Sequence, residues 1–210
     1  MMRTIRNIVI GMILFVMGLL AIMFIPSPQP QAAKPWEIEL MSDGNIQVFG
    51  IHLGTTDYKT AQKKLGAFGE TALFSDPDDK LSVEAFFDST NLSGLSAKMV
   101  MTLAVSQSEL QEMMTQTRNA KLQPSGAHQH EISESDREKL LDLPVASITY
   151  IPSLRLDKAM LKERFGEPDS IETIAVTEAN SQIENWLYRD IHLIVQFNGE
   201  AKPILIYHSI

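Results

Sequence analysis

The sequence predicts an α+β protein, with an N-terminal transmembrane helix followed by two units of short helices packed on antiparallel sheets. Three observations carry that expectation. Residues 8–25 form an uncharged apolar run. Two short segments, Asp57 to Gly66 (DYKTAQKKLG) and Asp157 to Gly166 (DKAMLKERFG), share one helix grammar at the same spacing from Asp to Gly. Each is followed by apolar-rich segments of strand length, several of them alternating.

The N-terminal run, IVIGMILFVMGLLAIMFI from Ile8 to Ile25, contains no charged or polar side chain. At about 1.5 Å per helical residue it reaches roughly 27 Å, enough for a bilayer's hydrocarbon core. In lipid the backbone must satisfy its own hydrogen bonds, which makes helix the expected form. A cleaved signal fits less well. Its apolar region is usually shorter and is followed by an Ala-x-Ala pattern, whereas Gln29 to Lys34 reads QPQAAK, with Pro30 or Gln31 at the critical position. Arg3 and Arg6 precede the run and Lys34 follows it. The positive-inside rule then leaves the N-terminus in the cytoplasm, and the rest in the periplasm as a signal-anchored, single-pass inner-membrane protein. Proline at alternate positions from Pro26 to Pro30, with Pro35 beyond, favours polyproline II, a spacer of about 30 Å at 3.1 Å per residue.

The expected division is residues 1–25 as cytoplasmic stub and anchor, 26–35 as Pro-rich spacer, 36–120 as the first α+β unit, 121–134 as linker or mobile loop, and 135–210 as the second unit. In the first unit, WEIELM and NIQVFGI flank Ser42-Asp43-Gly44 and read as a β-hairpin. The helix after Asp57 has Thr55, Thr56 or Asp57 as candidate cap, Lys63 and Lys64 at its negative end, and Gly66 to stop it. ETALF, SVEAFF and GLSAKMVMTLAV read as strands; in the last, Leu95, Ala97, Met99, Met101, Leu103 and Val105 share a face. Ser106 and Glu109 have capping-box spacing, so a helix should begin there, with Leu110, Met113 and Met114 on its apolar side.

From Lys121 to Glu134 the periodicity disappears and Pro, Ser, Gly and His accumulate. A short helix from about Ser135 to Leu143 follows. VASITYI, from Val145 to Ile151, is a strand in register with the one at Val48 to Ile51. The helix after Asp157 then leads into IETIAV, ENWLYR, HLIVQF and ILIYH as strands, with Asn198-Gly199 as a turn. Strand, capped helix, glycine stop and antiparallel strands therefore recur in the same order.

Charge limits the partners. All 26 acidic residues lie after Trp36, and setting aside Arg3 and Arg6 turns the formal charge of −8 into −10 for the rest. Such a surface repels nucleic acid and anionic lipid headgroups. The absence of cysteine excludes disulfides, thiolate metal sites and a lipid-modified N-terminal Cys.

Phe165-Gly166-Glu167-Pro168, then Trp186-Leu187-Tyr188, then the strand His192 to Phe197, resemble the SmpA/OmlA (BamE-like) group, which shares its general fold with the tandem-repeat β-lactamase inhibitory protein. Leu53-Gly54-Thr55-Thr56 leading into Ala61 to Gly66 echoes the same pattern, with Ala67-Phe68 in place of the acidic residue and proline. The resemblance covers roughly residues 46–105 and 148–208. It implies small envelope domains that bind proteins or envelope components and perform no chemistry. This chain departs from it in lacking the lipidated Cys.

Residue types that carry chemistry are few. His128-Gln129-His130-Glu131 could set two imidazoles and a carboxylate along one extended segment, as a metal site needs. His192 and His208 would face each other if their strands pair around a loop near Glu200. Glu84 and Glu184 are candidate acid–base carboxylates one repeat length apart. Asp76, Asp78 and Asp79 lack the spacing of a calcium loop. Trp186 and Tyr188 share one strand face, as core or as binding anchors. No Gly-x-Ser-x-Gly elbow or phosphate-binding glycine loop is present. The sequence thus assigns no catalytic, cofactor or metal residue. It predicts a non-enzymatic, membrane-anchored envelope module whose partners are another envelope protein and, through residues 8–25, the bilayer. The competing expectation is a periplasmic ligand- or metal-binding sensor built on His128 and His130.

Overall fold

The computed structural model describes residues 33–210 apart from Ser93, Arg118, residues 177–180 and Glu200. The chain divides between Gln31 and Ala32, and the fold below is that of the second unit. The predicted membrane span, residues 8–25, lies outside the described residues. Among the described residues no helix is long and apolar enough to cross a membrane.

The hairpin around Ser42-Asp43-Gly44 forms as β1 (Ile38–Leu40) and β2 (Ile46–Val48), and β3 (Ile51–His52) completes a three-stranded sheet. The other strands join one ten-stranded antiparallel sheet. From the first half come β4 (Glu70–Ser75), β5 (Leu81–Leu92) and β6 (Leu95–Leu103), followed by β7 (Ala120–Leu122) and β8 (His128–His130). The second half supplies β9 (Val145–Pro152), β10 (Ser170–Val176), β11 (Ser181–Tyr188), β12 (Leu193–Asn198) and β13 (Ile204–His208). Their order is β10-β11-β12-β13-β9-β6-β5-β4-β8-β7.

The expected fold class is therefore corrected. Strands hold 44% of the described residues and helices 21%. In place of two α+β units each with its own sheet, the halves join where β6 pairs with β9, from Ala97↔Pro152 to Leu103↔Val145. The physical reason lies in edges. Two separate sheets would expose four rows of unpaired amide groups, and fusion removes two of them. The segment 121–134, expected as linker or mobile loop, carries β7 and β8 as a hairpin, and β8 pairs with β4. Val145 to Ile151 and Val48 to Ile51, expected in equivalent positions, lie in different sheets.

The helices form where their caps predict. α1 (Tyr58–Leu65) is capped by Asp57, whose side chain accepts from the Thr60 amide, and it ends at Gly66 in the left-handed conformation. α2 (Gln107–Gln116) carries the full Ser106–Glu109 capping box. α3 (Glu134–Leu140) starts one residue before the predicted Ser135 because Ser133 caps it. α4 (Lys158–Phe165) is capped by Asp157 and stopped by Gly166. All four lay apolar side chains into one core with the sheet, among them Ala61, Leu110, Leu140 and Leu161. The three-stranded sheet joins the same core through Phe49, whose ring stacks on Tyr150 at 5.3 Å and meets Tyr207 edge-on at 5.8 Å. The end of the predicted spacer is tied in as well, because the buried Tyr207 hydroxyl donates to the Pro35 carbonyl at 2.7 Å.

Two irregularities keep the sheet in phase. Between Phe87 and Thr90, β5 carries an extra residue opposite β6, and between Val145 and Ser147, β9 does the same. Phe87 and Thr90, like Val145 and Ile148, are three apart yet all face the core. Strict alternation would put one of each pair in water, and the bulge restores the phase.

Candidate functional site

Alternation and register give the large sheet two different faces. Val83, Ala85 and Phe87 of β5, Met99 and Met101 of β6, Tyr150 of β9 and Val195 of β12 point into the core. The residues between them form the opposite face, and register places them in rows across the strands. One row runs Glu70, Phe86, Val100, Thr149, Ile206, Ile194, Leu187. Ile151, Ile204 and Ile183 stand on the same face. These isoleucines, with Val100 and Leu187, are partly exposed, and Phe86 is 38% exposed. A neighbouring row starts at Ala72 and is polar beyond it: Glu84, Thr102, Ser147, His208. His192 stands beside His208 with ring centroids 5.5 Å apart, as their pairing predicts.

Over β4, β5, β6 and β8 this face dips into a cleft of about 340 Å³, lined by Glu70, Ala72, Phe74, Glu84, Phe86, Val100, Gln123 and Gln129. Gln123 and Gln129 close one side through a 2.7 Å side-chain hydrogen bond. Glu84 is half-buried between the apolar walls. The Ser82 hydroxyl donates to its carboxylate at 3.3 Å, and among the described residues no cation pairs with it. Burial pushes its carboxyl above the usual carboxylate range, with Ser82 opposing. Larger hollows of about 660 and 770 Å³ lie near α3. They are bordered by exposed charged side chains, including the Arg137–Glu131 pair at 3.8 Å. A half-buried carboxylate without a cation marks the smaller cleft as the better site.

This environment has a stability consequence. A raised folded-state value means the folded chain holds the proton more tightly than the unfolded one, so ionising Glu84 costs stability as pH rises. The charged groups on the same face include Glu70 of β4, the Asp88–Lys98 pair, Lys121 of β7 and, at the far edge, Glu172 of β10; of these only Glu70 lines the cleft. Glu84→Gln is therefore expected to be more stable than the parent chain at neutral pH. The gap should open above about pH 4.5, the ordinary glutamate value, and close below it. Urea midpoints of both proteins across that range would check this; parallel curves would refute it.

The other sequence candidates are placed as follows. Glu184 does not join Glu84: it lies on the helix-bearing face with Trp186 and Tyr188. Lys158 of α4 donates to its carboxylate at 2.6 and 2.8 Å, and Trp186 Nε1 donates to it as well. These bonds, Lys158's first, hold its carboxyl below the usual range. Trp186 and Tyr188 are core residues, 2% and 4% exposed, packed on Phe197 and Phe165. His130 is buried with Nε2 3.0 Å from Ser75 Oγ, which latches β8 to β4. Burial pushes its imidazole down, with His128 adding to the effect. The His128 and His130 rings are 6.4 Å apart. Among the described residues no group of three or more His, Asp or Glu could hold a metal ion. His52 bonds Asp43 at 3.0 Å, bracing the first hairpin.

The cleft was not singled out in the sequence, although Glu84 was. Its signal is Glu84 and Phe86 among the outward positions of a strand whose inward positions are already apolar. Compared with known proteins, the chain matches no family model, no curated protein and no solved structure.

Proposed function

We propose that the protein is a non-catalytic binding module of the bacterial envelope, and that the open face of its ten-stranded sheet receives a protein partner. The observation that carries this reading is the row Phe86, Val100, Ile206, Ile194 and Leu187. These residues come from five of the six strands that the row crosses, with Thr149 of β9 between Val100 and Ile206, and among the described residues the row lies opposite the one core that receives the helices. Apolar side chains set among polar ones are what recognition surfaces present. The SmpA/OmlA resemblance implies the same class. The apolar run at residues 8–25 and its flanking arginines support an inner-membrane location with the folded unit in the periplasm. The sensor reading based on His128 and His130 has less support, since Ser75 engages His130 Nε2.

The test is a photo-crosslinking amino acid placed in the full-length protein in its own membrane. Positions Ile194 and Ile206 probe the open face; Glu138 of α3 and Glu163 of α4 probe the other. A discrete partner trapped from the first two positions and not from the others is the expected result. Equal trapping from both faces, or none from either, would overturn the reading.

A further inference from the structure

Phe86 stands in the middle of β5 with Glu84 two residues before it and Asp88 two residues after it on the same face. On the Asp88 side the arrangement is complete. Lys98 Nζ lies 5.6 Å from the centre of the Phe86 ring and 2.8 Å from Asp88 Oδ1, so ring and carboxylate hold one ammonium between them. On the Glu84 side the same two chemical elements recur: the aromatic wall, doubled here by Phe74, and a carboxylate, joined by Glu70 at the rim. No cation of the described residues fills that side. A cleft of about 340 Å³ lies there instead.

We propose that this cleft receives a lysine or arginine side chain of the partner that docks on the open face. This deepens the proposed function and rests on it. Three features select a cation. An aromatic face attracts positive charge through its quadrupole, more strongly where water is displaced. A carboxylate held between Ala72, Phe74 and Val100 gains more from an incoming cation than one in water, because the pair is less screened. The folded unit carries a large excess of negative charge, which steers a basic partner segment toward it. The Gln123 and Gln129 amides offer further polar contacts at the closed side. A neutral group of similar shape would leave Glu84 unpaired, and an anionic one would be repelled by Glu84 and Glu70.

The experiment uses the full-length protein in detergent, with n-propylguanidinium and n-butylammonium as probes of the two side chains, propylurea as neutral isostere and butyrate as anion. Binding is followed by ligand-observed NMR titration. The expected result is saturable binding of one or both cations, none of butyrate, and much weaker binding of propylurea. Glu84→Gln should weaken the cation by about tenfold to a hundredfold, the range for losing a charged hydrogen-bond partner. Phe86→Leu should weaken it less. A native circular dichroism spectrum of each variant establishes that folding is retained. No cation binding, equal binding of propylurea, or indifference to Glu84→Gln would overturn the proposal. Photo-crosslinking from Ile194 and Ile206 in the Glu84→Gln background separates the two ideas. A partner still trapped there leaves the docking face standing when the cleft fails; selective cation binding with no trapped partner leaves the cleft standing when the docking face fails.

Discussion

Phe49→Ala is expected to destabilise the folded unit by about 3–5 kcal/mol, the usual cost of deleting a buried aromatic ring. Phe49 is 4% exposed and touches both Tyr150 and Tyr207. It also occupies the left-handed region, φ 54°, followed by Gly50 at φ 72°, in the two-residue connection between β2 and β3. Such a turn favours Asn-Gly, because a side chain with φ above zero is strained. A phenylalanine is tolerated there because its ring docks the three-stranded sheet onto the large one. Alanine keeps the strain and loses the ring. Phe49→Asn relieves the strain and loses the ring too, so it should rank between alanine and the parent chain. Urea unfolding of all three would test this, with the midpoint falling in that order and the slope unchanged. A loss below about 1 kcal/mol for alanine would mean that Phe49 does not hold the two sheets together.

Gly69→Ala should cost about 1–3 kcal/mol by overpacking, although Gly69 requires no unusual backbone angle. A Cβ at this position would lie 2.8 Å from the Phe87 ring and 2.9 Å from the Tyr58 hydroxyl. Both side chains are nearly fully buried, and they meet edge-to-face with centroids 6.4 Å apart. The Tyr58 hydroxyl also donates to the Gly69 carbonyl at 3.0 Å, so moving the ring breaks that bond. This contact joins α1 to β4 and β5. Shrinking the obstacle should help: Gly69→Ala with Phe87→Leu is expected to be less destabilised than the sum of the two single changes, as neighbours sharing one space behave. Additive losses would place the strain elsewhere.

Glu84 and Glu184 show where sequence reasoning meets its boundary. They are one repeat length apart, both in strands, and each has an aromatic residue two positions on, Phe86 and Trp186. Their faces are set by what each strand buries around them. In β5 the buried set is Val83, Ala85 and Phe87, so Glu84 turns away from the core. In β11 it is Trp186 and Tyr188, so Glu184 turns toward α4 and is neutralised by Lys158. One carboxylate thus becomes a structural clamp and the other lies in an open cleft. The hairpin of β7 and β8 was illegible for a related reason. AKL and HQH are too short and too polar to show alternation, and they become strands only because β4 offers an edge.

By itself the sequence determined whatever depends on neighbours three or four residues away, or on a period of two. Asp57, Ser106 and Asp157 cap helices because each side chain reaches an amide three positions on. Leu95 to Leu103 alternates because a strand's side chains do. The strongly acidic balance is likewise a property of composition alone. Tertiary structure decided the rest: the fusion of two expected sheets across β6 and β9, the bulges that rephase β5 and β9, and the face on which Glu84 stands. Those outcomes depend on which strands lie side by side and in what register. That choice is made by burying one shared core between residues far apart in the chain, and no local pattern encodes it.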